Sequence, residues 1–143
     1  MRAIFLWWAV AALLVARPCA AVEFPPAPAD VAAAEAAGLE RLAPDRLKRE
    51  FAAAREERGS RGESYVAHYV PDGAVELRAG SSLVDRGTFS VTGQRGGSVC
   101  LMLEKQMNQR LCSIWFAAPD GVHLFGYNPS DGKLRAISRA VQR

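Results

Sequence analysis

The sequence predicts an α+β domain: an N-terminal helix or helices, then a five- or six-stranded antiparallel meander sheet able to curl into a partial barrel, with one disulfide. Three observations predict it. Apolar residues recur at helical spacing at Leu47, Phe51 and Ala54, then at a period of two after Gly62. Clusters of Gly, Pro, Asp and Asn divide the later half into short runs, as hairpin loops require. Cys100 and Cys112 stand in neighbouring runs, where one bond would tie two strands together.

The first 21 residues read separately, as a leader for export. Arg2 supplies a positive start, Ile4 to Ala16 an apolar run, and Ala20-Ala21 a small-residue cleavage zone. The cut is placed after Ala21, with Ala20 as the alternative. The run is short of the roughly 20 residues of a membrane helix, which argues against an uncleaved anchor. Arg17 and Pro18 argue against a lipoprotein acylated at Cys19. The expected address is therefore outside the cytoplasm, with no transmembrane segment after cleavage.

Leader removal changes the totals. Losing Arg2 and Arg17 takes Lys+Arg from 18 to 16 against 15 acids, so the mature chain is close to neutral. That balance gives no electrostatic grip on nucleic acid. Losing Cys19 leaves an even pair, read as a disulfide, with two buried thiols as the alternative. Closing a loop of this length stabilises a fold by roughly 3 kcal/mol.

Residues 22–43 read as a Pro/Ala-rich linker and a weak helix, and 44–143 as the small domain. Val31 to Leu42 has helical propensity, Asp30 is available as its N-cap, and its alanine face would dock weakly. The better helix starts at Pro44, runs to about residue 58 and ends at Gly59 with a positive φ. Leu42 and Leu47 are placed for a hydrophobic staple. Its charged residues, Lys48, Arg49, Arg55, Glu56 and Glu57, read as a solvated face.

Strands follow. Ser64–Val70 ends at Pro71-Asp72-Gly73, and Ala74–Ala79 returns antiparallel. Gly87–Thr92 alternates cleanly, with Phe89 and Val91 inward. Val99–Glu104, Leu111–Phe116, Val122–Tyr127 and Lys133–Ser138 complete the set. If Cys100 faces Cys112, Met102 faces Arg110, and Glu104 becomes a diagonal neighbour of Arg110. Leu101, Leu103, Leu111 and Trp115 then share the opposite face.

From Tyr65 to about residue 137 the chain resembles an exported bacterial family, domain of unknown function 995. The matching features are Tyr69-x-Pro71-Asp72-Gly73, Gly87-Thr88-Phe89, the spacing of Cys100 and Cys112, and a further Asp-Gly turn. Phe89 stands where the family's Gly-x-Trp pattern has tryptophan. The resemblance implies a periplasmic address and a small sheet domain. It carries no known activity, so no site residue transfers.

No catalytic, cofactor or metal pattern is read. The two histidines, His68 and His123, are the only candidates for a small secreted hydrolase, with Asp72 or Asp120 nearby should their strands be neighbours. The Gly93–Gly97 loop lacks the lysine of a phosphate-binding loop. The aromatic residues read first as core. Tyr65, Tyr69 and Tyr127 are the candidates for a groove on an open sheet face, taking an envelope glycan, lipid or peptide. The expected function is a non-enzymatic binding or envelope-associated module. A protein-binding inhibitor, meeting its partner through loops 93–97 or 105–109, is the further alternative.

Overall fold

The computed structural model describes residues 23–142. The expected leader, its expected cleavage site and Cys19 lie outside them. The described residues form a closed antiparallel barrel of eight strands in chain order. These are β1 (Ala54–Gly59), β2 (Ser64–Tyr69), β3 (Ala74–Ala79), β4 (Ser82–Thr92), β5 (Ser98–Leu103), β6 (Arg110–Ala117), β7 (His123–Tyr127) and β8 (Leu134–Ala140). Two short helices precede them, α1 (Val31–Ala36) and α2 (Pro44–Glu50).

This corrects the α+β expectation. The two helices are small, and the sheet is a closed barrel of eight strands where five or six and at most a partial barrel were expected. The strand that closes it carries no period-two apolar pattern. That strand is β1, cut from the C-terminal half of the expected helix. α2 stops at Phe51, whose φ of −99° and ψ of 39° leave the helical region. Arg55 then pairs with Ala67 of β2 on one side and Ala140 of β8 on the other. Both edges of the meander find a partner in β1, so no ladder is left open. Gly59 is likewise corrected: it is a strand residue, donating its N–H to the Glu63 carbonyl at 2.8 Å. β4 is longer than expected, reaching back to Ser82 across a register shift at Leu77/Arg78.

The disulfide register holds. Cys100 opposes Cys112 and Met102 opposes Arg110, with the two cysteine Cα atoms 3.9 Å apart. The diagonal pair is corrected. β5 ends at Leu103, and Glu104 meets Arg86 of β4 at 3.3 Å instead of Arg110.

Two apolar layers stabilise the barrel. The inner one runs from Leu42, Leu47 and Phe51 through Tyr69, Val75, Val99, Leu103 and Trp115. The outer one covers β6, β7 and β8, where Phe116, Phe125, Tyr127 and Ile137 meet Phe24, Val31, Ala34 and Leu39. The stretch read as a linker is thus a strap. Ala34 is fully buried, Asp30 caps α1 by accepting from the Ala33 N–H at 2.8 Å, and the Tyr127 hydroxyl donates to the Pro28 carbonyl at 2.9 Å. Alanine docks here because a small side chain lets the helix lie close to the sheet.

No described helix is long and apolar enough to cross a membrane. On the outer side of β3 and β4, Glu76, Arg78, Arg86 and Thr88 alternate with inward Val75, Leu77 and Phe89, and Leu83 and Val84 are exposed near the start of β4.

Candidate functional site

The two ends of the barrel differ. One end is plugged. α2 crosses it, and Pro44 at its first position and the Leu42–Leu47 staple set its entry, with both leucines buried. Phe51 drops from the end of the helix onto Tyr69 and Trp115, with ring centroids 5.1 and 5.0 Å apart. Tyr69 continues the layer to Phe89 at 5.1 Å. These four rings form an aromatic floor.

The other end is open. A cavity of about 630 Å³ enters the barrel there, between the end of β1, the starts of β2, β4, β6 and β8, and the end of β5. Its walls are Tyr65, Leu77, Leu101, Leu103 and Leu111. Each is an inward position of a strand, so the alternation that builds the core also lines the cavity. Arg61, Glu63, Asp85, Lys105 and Arg135 stand at the rim. Asp85 is structural there, accepting from the Arg86 and Lys105 backbone N–H groups at 2.8 and 3.1 Å. Volume and lining match a small-molecule site, which is commonly apolar with a few polar groups at barrel mouths.

Beside the mouth lies a second, polar pocket of about 430 Å³ against the disulfide. Arg95, Arg110 and Arg135 line it with Gln94, Gln109 and Asn128, and no Asp or Glu does. Arg135 donates to the Cys112 carbonyl at 2.8 Å and to the Ser113 hydroxyl at 3.3 Å. Burial lowers its guanidinium from the ordinary value, while Asp131 acts the other way. Arg135 and Leu111 line both this pocket and the mouth.

Charge also enters the barrel. Arg55 and Glu57, expected on a solvated helix face, are 1 % and 3 % exposed and point inward from β1. Arg55 donates to the Ser138 hydroxyl at 2.7 Å and to Glu50 at 3.1 Å. Glu57 accepts from the Tyr69 hydroxyl at 2.9 Å. Burial pushes the Glu57 carboxyl up, against the hydroxyls of Tyr69 and Ser138 and the charge of Arg55. Burial first, then Glu57, hold the Tyr69 hydroxyl well above its usual range.

The three tyrosines do not converge on one groove. Tyr65 lines the mouth, with its hydroxyl held high by burial and by Glu57. Tyr69 belongs to the floor. Tyr127 lies on the outer face of β7 under the strap, and burial pushes its hydroxyl up to about 12. The single groove of Tyr65, Tyr69 and Tyr127 is therefore corrected, because Tyr127 sits on the opposite side of the sheet from the other two.

His68 and His123 are not brought together either. His68 is exposed on β2, opposite Ala54 and Glu76. His123 on β7 faces Arg139, and its Nδ1 lies 2.5 Å from Asp120 of the preceding turn. The backbone N–H of His123 contributes most to pulling Asp120 down to about 2. Among the described residues, no three His, Cys, Asp or Glu side chains gather as a metal cluster.

Arg135, Arg55 and Glu57 are the residues sequence reasoning missed. A period-two reading of Arg55, Glu57 and Gly59 was available, but inward positions are recognised by apolarity and here they are charged. Comparison with known proteins finds no match: no family model, curated protein or solved structure matches this chain.

Proposed function

We propose that the chain is an exported, non-enzymatic binding protein whose site is the open mouth of the barrel, taking a small ligand with an apolar body. The carrying observation is the 630 Å³ mouth walled by Tyr65 and four leucines opposite an end that α2 plugs. A plugged barrel with one apolar opening is a cup, and burial of ligand surface there is favourable at about 25 cal/mol per Å². The proposed address is the periplasm, supported by the leader pattern and the Cys100–Cys112 bond. The resemblance to domain of unknown function 995 stays a proposal carried by its motifs.

The test is titration with N-phenyl-1-naphthylamine, a neutral dye that brightens in apolar surroundings. Saturable binding of one dye per chain is expected. Leu111→Trp, which fills the mouth, should weaken it at least ten-fold. Met102→Trp, on the outer face of the adjacent strand, should leave it unchanged. Absence of saturable binding, or equal binding by both variants, would overturn the reading.

A further inference from the structure

The mouth and the arginine pocket share two of their walls, and this determines what kind of ligand both can serve. Leu111 and Arg135 are the second residues of β6 and β8, and each borders both spaces. On one side of this shared rim the walls are leucine and tyrosine. On the other they are three guanidinium groups, amides and hydroxyls.

The arginines there differ from most others of the barrel. Arg55, Arg78, Arg86 and Arg139 each meet a carboxylate at 3.3 Å or closer. Among the described residues Arg95, Arg110 and Arg135 form no such ion pair. Arg110 has one side-chain contact, Nη2 to the Cys100 sulfur at 3.6 Å, and Arg95 reaches the Pro129 carbonyl at 3.4 Å. Arg135 is half-buried and fixed by the Cys112 carbonyl, so its position costs a ligand little ordering. Three like charges in one pocket repel, and an anion placed among them relieves that repulsion while gaining charge-assisted hydrogen bonds.

We infer that the ligand is an anionic amphiphile, its apolar body in the mouth and its carboxylate or phosphate head held by Arg135 and Arg110, with Arg95 opposite. The inference rests on the mouth being the binding site. Tail and head divide the work: the leucines supply affinity by burial, and the arginines select for charge. At the mouth itself Arg61 and Lys105 are offset by Glu63 and Asp85, so the unbalanced positive charge lies on the arginine side of the shared rim.

Competition against N-phenyl-1-naphthylamine tests this with three probes kept below micelle formation: dodecanoate, dodecyl phosphate and dodecanol. At least one of the two acids should displace the dye ten-fold or more tightly than dodecanol, and which one does so assigns the head group. Arg110→Gln, at an exposed side chain, should remove most of that preference without changing dodecanol. Arg135→Gln should do the same, and Arg135→Lys should retain part of it. Added salt should weaken the acids alone. If the dye binds but dodecanol competes as well as both acids, the head-group inference fails while the mouth reading stands. The head-group inference fails equally if the preference survives both glutamine variants. If neither dye nor amphiphile binds, the mouth reading fails first.

Discussion

Inside the barrel the Tyr69 hydroxyl donates to Oε1 of Glu57 at 2.9 Å, while no described donor reaches Oε2 of the same carboxylate. Glu57 thus holds its carboxyl in the core with one oxygen lacking a hydrogen-bond partner. Burial raises its pKa above the ordinary 4.5. The sign follows from linkage: the folded state binds the proton more tightly than the unfolded chain, so this group favours folding at low pH. Its cost accumulates as pH rises from 4.5 to the folded-state value. Glu57→Gln keeps an acceptor for Tyr69 and removes the charge. It should raise stability at neutral pH by about 1–3 kcal/mol, the range for relieving a poorly satisfied buried group. Urea unfolding at several pH values checks it, and the gain should disappear as pH falls below 4.5.

Asp120 acts in the opposite direction. Its pKa is pulled down to about 2, chiefly by the His123 backbone N–H, so it stabilises the fold above its unfolded value of 3.8. That contribution is lost as pH falls from 3.8 toward 2. Asp120→Asn should flatten the stability profile across that window, read by thermal unfolding. The side chain is partly exposed, so the effect should be small.

Replacing both Cys100 and Cys112 by serine should lower stability by roughly 3 kcal/mol, the entropy of closing a loop of this length. The β5–β6 pairing should survive, because Leu101 opposite Leu111 and Val99 opposite Ser113 hold the same register. Urea unfolding gives the first quantity, and amide exchange over 99–113 gives the second.

Gly126 lies beneath the indole of Trp115, so a Cβ there would fall 2.7 Å from the ring. Gly126→Ala should cost about 1–3 kcal/mol through overpacking. Trp115 is the single tryptophan after Trp8, so it reports the change directly. Its emission should shift to the red as the ring is driven off the floor. Wild-type emission should also respond when the mouth above it fills.

Tyr127→Phe removes the hydrogen bond to the Pro28 carbonyl at 2.9 Å. The expected loss is about 1 kcal/mol. Faster amide exchange should be confined to the strap, around Val31 and Leu39, with the barrel strands unchanged. Exchange spreading into β2 and β3 would show that the strap supports the whole barrel and not just β6 to β8.

The runs that become β2 to β8 and the disulfide register were legible in the residues. The sheet they form was nonetheless expected to have five or six strands, and the first half of β4 reads as a break. Alternation at Phe89 and Val91, the Asp-Gly turns and the Cys100–Cys112 spacing each record a local preference that the fold keeps. What sequence could not decide was closure. Ala52 to Glu57 has good helical propensity, and its inward positions in the fold, Arg55 and Glu57, are charged. The stretch becomes a strand because two open edges, β2 and β8, meet there and their unpaired backbone groups outweigh a modest local preference. The same closure decided the site. Once the sheet curls, Tyr65 turns into a cup, Tyr127 turns out beneath the strap, and Arg135 comes to the rim beside Arg110. The leader pattern, the strand order and the cysteine pair follow from neighbours along the chain. The mouth, its plug and its arginines exist because residues far apart in sequence were brought together by the barrel.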